Sequence, residues 1–92
     1  MAIQTTADLP ALTKEQYDSL ANELIPQIKA MPGFIAHVGA HLEGGGYRIT
    51  EVWESREAFE RWIRDSVLPV NRRLGIVPGP GQILDVDILI TP

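Results

Sequence analysis

Two histidines, one carboxylate and two tryptophans carry most of the chemistry that this chain of 92 residues offers. His37 and His41 stand four positions apart, a spacing that pairs metal ligands on a helix. In "FIAHVGAHL" they sit on an alternating strand instead, on one face but about 13 Å apart at roughly 3.3 Å per residue. One chain cannot close both onto one ion, and with no cysteine to help, no metal site is expected. What remains is a polar role at an interface or rim, or service by one of them, His37, as a general base near neutral pH. Glu51 lies inside the next strand, where a carboxylate is costly unless hydrogen-bonded or paired. Arg48, His37 and His41 are its candidate partners. Turned toward the covering helices, Glu51 becomes the best catalytic carboxylate; turned away, it joins Trp53 on the opposite face. Asp85 and Asp87 share a strand face and are most simply solvated or paired with arginines. Tyr17 and Tyr47 can each donate a phenolic hydrogen bond to a ligand, or serve as packing.

"VWESREAFERW", Val52 to Trp62, holds both tryptophans of the chain, nine residues apart on either side of one strand-to-helix corner. Trp53 ends the strand, and either packs across a subunit seam or seals the corner. Trp62 lies on a helix stripe, where it either fills core or lines a cavity.

Composition bounds the setting. A chain this short is one domain, residues 1–92, and buries roughly 60–65% of the surface its unfolded form exposes, so association is a reasonable way to add burial. Eight basic and twelve acidic residues give a net charge of −4 without charge runs. No Lys/Arg patch is present, which argues against nucleic acid and against anionic membranes. The absence of cysteine excludes disulfides and thiol catalysis. With no visible signal peptide and no apolar run long enough to cross a bilayer, a cytoplasmic protein is expected.

The elements that must position these residues are readable from periodicity. Ala2–Thr6 is a strand candidate, followed by an Asp-Leu-Pro turn. Thr13 with Gln16 matches a capping box, and Tyr17, Leu20, Ala21, Leu24, Ile25, Ile28 and Met31 follow at helical spacing. Pro26 should kink that helix near Asn22 or end it there. Phe34–Leu42 alternates as a second strand, with Phe34, Ala36, Val38, Ala40 and Leu42 expected under the helices and Ile35, His37, Gly39 and His41 on the far face. The small Ala36 and Ala40 would then leave volume for a pocket. The glycines of Glu43–Gly46 make a hairpin loop, and Tyr47–Glu54 returns as the third strand. Ser55 is a plausible N-cap, leading into a second amphipathic helix through Ala58, Phe59, Trp62 and Ile63, which Pro69 should bend or stop, with Val70–Leu74 adding another turn. Val77–Gly81 is too rich in proline and glycine for regular structure. Ile83–Ile90 is the last strand, with Leu84, Val86, Ile88 and Ile90 inward. The order β-α-β-β-α-β is the ferredoxin-like α+β pattern: a four-stranded antiparallel sheet with two helices on one face and a semi-polar second face.

"EVWESREAFERW", preceded by "MPGFIAHVGAH" and a glycine hairpin, resembles the dimeric α/β-barrel superfamily, and within it the antibiotic-biosynthesis-monooxygenase-like domains. The resemblance runs from about Ala2 to Ile90. It implies a homodimer whose two sheets close a barrel, and one pocket per subunit for a hydrophobic small molecule between sheet and helices. Trp62 matches the tryptophan that lines this pocket in the substrate-oxidising branches. In the haem-degrading branch a histidine near the end of the same helix ligates iron. The corresponding Pro69-Val70-Asn71-Arg72 has none, and Gln4, Thr5 and Thr6 stand where those enzymes have an asparagine, so no cofactor is expected.

The leading expectation is therefore a cofactor-independent monooxygenase acting on an aromatic, polyketide-like phenol. Trp62, Glu51 and His37 are its candidate catalytic residues, and Phe59, Trp62, Tyr17, Val38, Leu84 and Asn71 its candidate substrate contacts. Two alternatives stay open: a non-catalytic dimeric binding or stress-responsive protein, and a polyketide cyclase of the same fold, which would need no oxygen.

Overall fold

Residues 1–77 and 79–92 are described by a computed structural model. Its elements are strand β1 (Ile3–Leu9), helix α1 (Lys14–Ile28), strands β2 (Phe34–His41) and β3 (Tyr47–Trp53), helix α2 (Arg56–Trp62), a π-helical segment (Ile63–Val67), helix α3 (Leu68–Leu74) and strand β4 (Gly81–Asp85). The strands form one antiparallel sheet in the order β2-β3-β1-β4, as the ferredoxin-like reading requires.

Local chemistry sets most boundaries. Thr13 caps α1: its hydroxyl accepts from the Gln16 amide at 3.1 Å while the Gln16 side chain accepts from the Thr13 amide at 3.0 Å. Ser55 does the same for α2, accepting from the Ala58 amide at 3.1 Å. Gly75, at φ 70°, takes the left-handed conformation that ends α3. β1 runs to Leu9, past the expected turn, because β3 offers it partners as far as Tyr47; the ladder stops at Pro10, which has no amide to donate.

Both prolines are tolerated better than the sequence suggests. Pro26 stands inside α1, which continues to Ile28. It forfeits one bond in the last turn, where it and Asn22 are exposed to solvent. Pro69 does not stop the second helical stretch. Five residues before it widen into the π-helical segment, in which the Leu68 amide donates to the Ile63 carbonyl, and the chain enters α3 with proline in its first turn, where a missing donor costs nothing.

The strand faces differ from expectation at two places. In β2 a bulge falls between Phe34 and Ala36, so that two residues oppose one on β3. Phe34 keeps its inward position, but beyond Ile35 the parity reverses: His37, Gly39 and His41 turn toward the helices, while Ala36, Val38 and Ala40 turn away. β4 is also reversed. Its register with β1 pairs Thr5 with Ile83, which packs against the core, and leaves Leu84 52% exposed on the outer face. β4 ends at Asp85, opposite the first residue of β1; one further bond follows, from the Val86 amide to the Ala2 carbonyl at 2.8 Å, and Ile88 and Ile90 stay exposed. Of the irregular stretch expected at Val77–Gly81, Pro78 lies outside the described residues, and Gly81 opens β4.

The core has two clusters under the helices, one around Ile3, Ile28, Trp53 and Trp62, the other around Leu12, Tyr47 and Ile76. Trp53 and Trp62 are the largest fully buried side chains, at 0% and 1% exposure. At ~25 cal/mol per Å² over roughly 150–250 Å², each withdraws about 4–6 kcal/mol of apolar surface from water.

Candidate functional site

The sheet presents rows of side chains to the helices, and three rows build the site. The first, Phe34, Trp53 and Ile3, is large and apolar, with Trp53 and Ile3 buried and Phe34 partly so. The second runs His37, Glu51, Thr5, Ile83 across all four strands, each the register partner of the next. The third, Gly39, Ile49, Ala7, Gly81, is made largely of small residues. Helices α1 and α2 cover these rows, with Tyr17 of α1 packed against Gly39 of the third. The result is a cavity of about 310 Å³ lined by the whole second row, by Ala7, Ile49 and Gly81 of the third, and by helical side chains. Ala7 and Gly81 leave room along its wall, whereas the space over Gly39 is taken by the Tyr17 ring; Ala36 and Ala40 lie on the opposite face.

Glu51 is the polar centre of that wall. It is 7% exposed and uses both carboxylate oxygens. Oε1 accepts from the Trp53 indole N–H at 2.9 Å, and Oε2 lies 2.8 Å from His37 Nδ1. Because a carboxylate only accepts, His37 donates through Nδ1 and its Nε2 is left as an acceptor when the ring is neutral. The His37 side chain keeps 26% exposure against 8% for that of Glu51, so a buried carboxylate backs an imidazole that remains accessible. Arg48 is not a partner of Glu51; it faces outward and forms a bidentate pair with Asp8, at 2.7 and 3.0 Å. No lysine or arginine lines the cavity among the described residues, and Glu51 is its only acid.

The remaining candidates divide cleanly. Trp62, Phe59, Tyr17 and Asn71 line the same cavity as His37 and Glu51. Trp62 ends α2 where the π-helical segment begins, and Asn71, 7% exposed, comes from α3. Tyr17 reaches down from α1, stacked on Tyr47 at 4.3 Å between ring centroids and 7° between planes. Burial, reinforced by Tyr47 and Asp18, holds its phenol above the usual tyrosine range, so at neutral pH it can only donate or accept a hydrogen bond. Val38 and Leu84 are corrections. Both were expected as walls, yet they are 55% and 52% exposed on the outer face, because the β2 bulge and the β4 register turn them away. His41 lies beside Tyr47 at 4.9 Å and does not line the cavity. Among the described residues no three His, Asp or Glu side chains converge where they could hold a metal ion.

Sequence reasoning passed over Thr5, whose β1 position opposite Glu51 brings it to the wall, and Trp53, whose indole completes the carboxylate's bonding. For Trp53 a signal existed: Glu51 and Trp53 are two apart on one strand and must share a face.

The profile of the antibiotic biosynthesis monooxygenase family matches residues 3–66. No curated protein sequence matches the chain significantly. Among solved structures, SnoaB, a cofactor-independent oxygenase from Streptomyces nogalater, superimposes with a TM-score of 0.71 at 15% identity, covering 99% of this chain and 97% of its own. A heme-degrading protein from Mycobacterium tuberculosis gives 0.69 at 17% identity, covering 99% and 100%. A Streptomyces coelicolor monooxygenase solved with the ligand nanaomycin D gives 0.67 at 17%, covering 99% and 90%. At these identities the likeness is one of fold. No helix of the described residues is long and apolar enough to cross a membrane.

Proposed function

Because this chain belongs to the antibiotic biosynthesis monooxygenase family, we propose that it is a cofactor-independent monooxygenase that oxidises a polyketide-like phenol in the cavity beneath its helices. The observation that carries this reading is the His37–Glu51 pair, 2.8 Å apart, set in the wall of a largely apolar hollow of about 310 Å³. A hollow of this size suits a ligand of two or three fused rings, at the lower end of small-molecule sites.

The chemistry asks for a base and a dry, shaped slot. His37 Nε2 removes the hydroxyl proton of the bound phenol, and Glu51 stabilises the imidazolium that forms. The electron-rich phenolate reduces dioxygen, and the two combine at the carbon para to the hydroxyl. For an anthrone in its hydroxyl form, that ring C–H carbon becomes a carbonyl. The O–O bond breaks: one oxygen atom stays in the product as the carbonyl, and the other leaves as water with the hydrogen lost from that carbon and the proton that His37 returns. The four electrons needed by dioxygen all come from the substrate. Trp62 and Phe59 bound the aromatic body of the ligand, while the Asn71 amide and the Tyr17 hydroxyl offer hydrogen bonds to its remaining oxygens. The working form is a homodimer joined through the outer sheet faces, where Val38, Val52 and Leu84 supply the apolar contacts.

Oxygen consumption with anthrones and naphthols, corrected for spontaneous oxidation, tests the proposal. Wild type turns over at least one of them, and His37→Ala loses about 10²–10⁴-fold, the usual worth of a positioned base. Equal rates for the two proteins, or no turnover by wild type, defeat it. A cyclised product formed without oxygen would assign the same base to a cyclase instead.

A further inference from the structure

Trp53 does more than fill the core: we infer that it is a positioning residue, whose indole N–H holds the Glu51 carboxylate in the one orientation that presents His37 Nε2 to the cavity. The inference rests on the reading of His37 as the base. The terminal torsion of a glutamate is broad and sets no orientation by itself. Here two hydrogen bonds on opposite oxygens, 2.9 Å from Trp53 and 2.8 Å to His37, fix the plane of the group. The indole is itself immobile. It is fully buried and held edge-on by Phe34 at 5.5 Å and by Phe59 at 6.4 Å, with Trp62 at 6.2 Å. Position within the strand adds to this: Glu51 and Trp53 are neighbours on one face of β3, so no loop or helix movement intervenes between donor and acceptor.

An apolar bicyclic side chain would fill the same space, so packing alone does not account for the bond. The N–H supplies two things. It satisfies an oxygen that would otherwise be a buried, unpaired acceptor. It also keeps that oxygen from swinging toward the ligand, which would take Oε2 away from His37. Neutral imidazole free in water favours the proton on Nε2; the Trp53–Glu51 arrangement forces it onto Nδ1, the tautomer that a base facing the cavity requires.

The test is the tautomer of His37, read from its ring ¹⁵N shifts in wild type and in Trp53→Phe. Wild type holds the neutral ring as Nδ1–H. In the variant, the Nε2–H form rises to a majority, and turnover falls roughly tenfold or more with KM within about twofold, the rate equivalent of one hydrogen bond to a charged group. Should Trp53→Phe fail to fold, site-directed replacement by benzothienylalanine keeps the bicyclic shape and replaces only the N–H by sulfur. An unchanged tautomer ratio in either folded variant overturns the positioning role, whatever the activity. A changed ratio in a protein that oxidises no phenol upholds the arrangement and removes the monooxygenase reading.

Discussion

Phe34 and His37 stand three residues apart on one strand, yet both face the helices: Phe34 meets the Trp53 ring edge-on at 5.5 Å, and His37 meets Glu51 at 2.8 Å. A regular strand would send them to opposite sides. The extra residue at Ile35 resolves the conflict, and through it the bulge sets which half of β2 sees the cavity.

Deleting Ile35 should therefore break one contact or the other. A regular β2 either withdraws Phe34 from Trp53 or turns His37 out of reach of Glu51, leaving a buried carboxylate oxygen unpaired at a cost of about 1–3 kcal/mol. Urea unfolding followed by tryptophan fluorescence measures it; an unchanged midpoint would show that the bulge is dispensable.

Trp62→Ala should cost about 3–5 kcal/mol, a large share of the 5–15 kcal/mol typical of a domain. The site already borders a hollow, so the surroundings have nothing to collapse onto. Trp62→Phe should cost less while still weakening ligand binding. Denaturant midpoints and a ligand titration separate the two effects.

Gly39→Ala should act on Tyr17. A methyl at Gly39 would overlap the Tyr17 hydroxyl and stand 2.7 Å from Cζ, while the stack on Tyr47 prevents the ring from sliding aside. Overpacking of this kind costs about 1–3 kcal/mol. In a Tyr17→Leu background the same substitution should be nearly free, and a double-mutant cycle reads the difference.

Val38→Asp tests assembly. Val38 is 55% exposed and faces away from the core, so within one chain a charge there should change stability by about 0.5 kcal/mol or less. If two copies join through this face, the charge separates them. Scattering should show a dimer for wild type and a monomer of unchanged circular dichroism for the variant; a variant that stays dimeric excludes this face as the seam.

What the sequence determined by itself is everything carried by local rules. Thr13 with Gln16 and the N-cap Ser55 marked the helix starts, alternation marked β2, the glycine hairpin led to β3, and the family motif around Trp53 and Trp62 named the fold. Trp62, Phe59, Tyr17 and Asn71 could be proposed for the pocket because helix stripes and the motif point there without reference to register. Tertiary structure decided which face of each strand looks inward. Alternation yields two parities with equal regularity, and one bulge at Ile35 exchanges them for every residue beyond it, which is why His37 is in the wall and Val38 outside. The same holds for β4, where pairing with β1 selects Ile83 over Leu84 although both are apolar. Tolerance of Pro26 and Pro69 was also a tertiary matter, since an exposed last turn and a π-helical widening absorb the missing donors. The joining of His37, Glu51 and Trp53 depends on residues up to sixteen positions apart meeting across one strand pair, and only a register, not a spacing, can specify that.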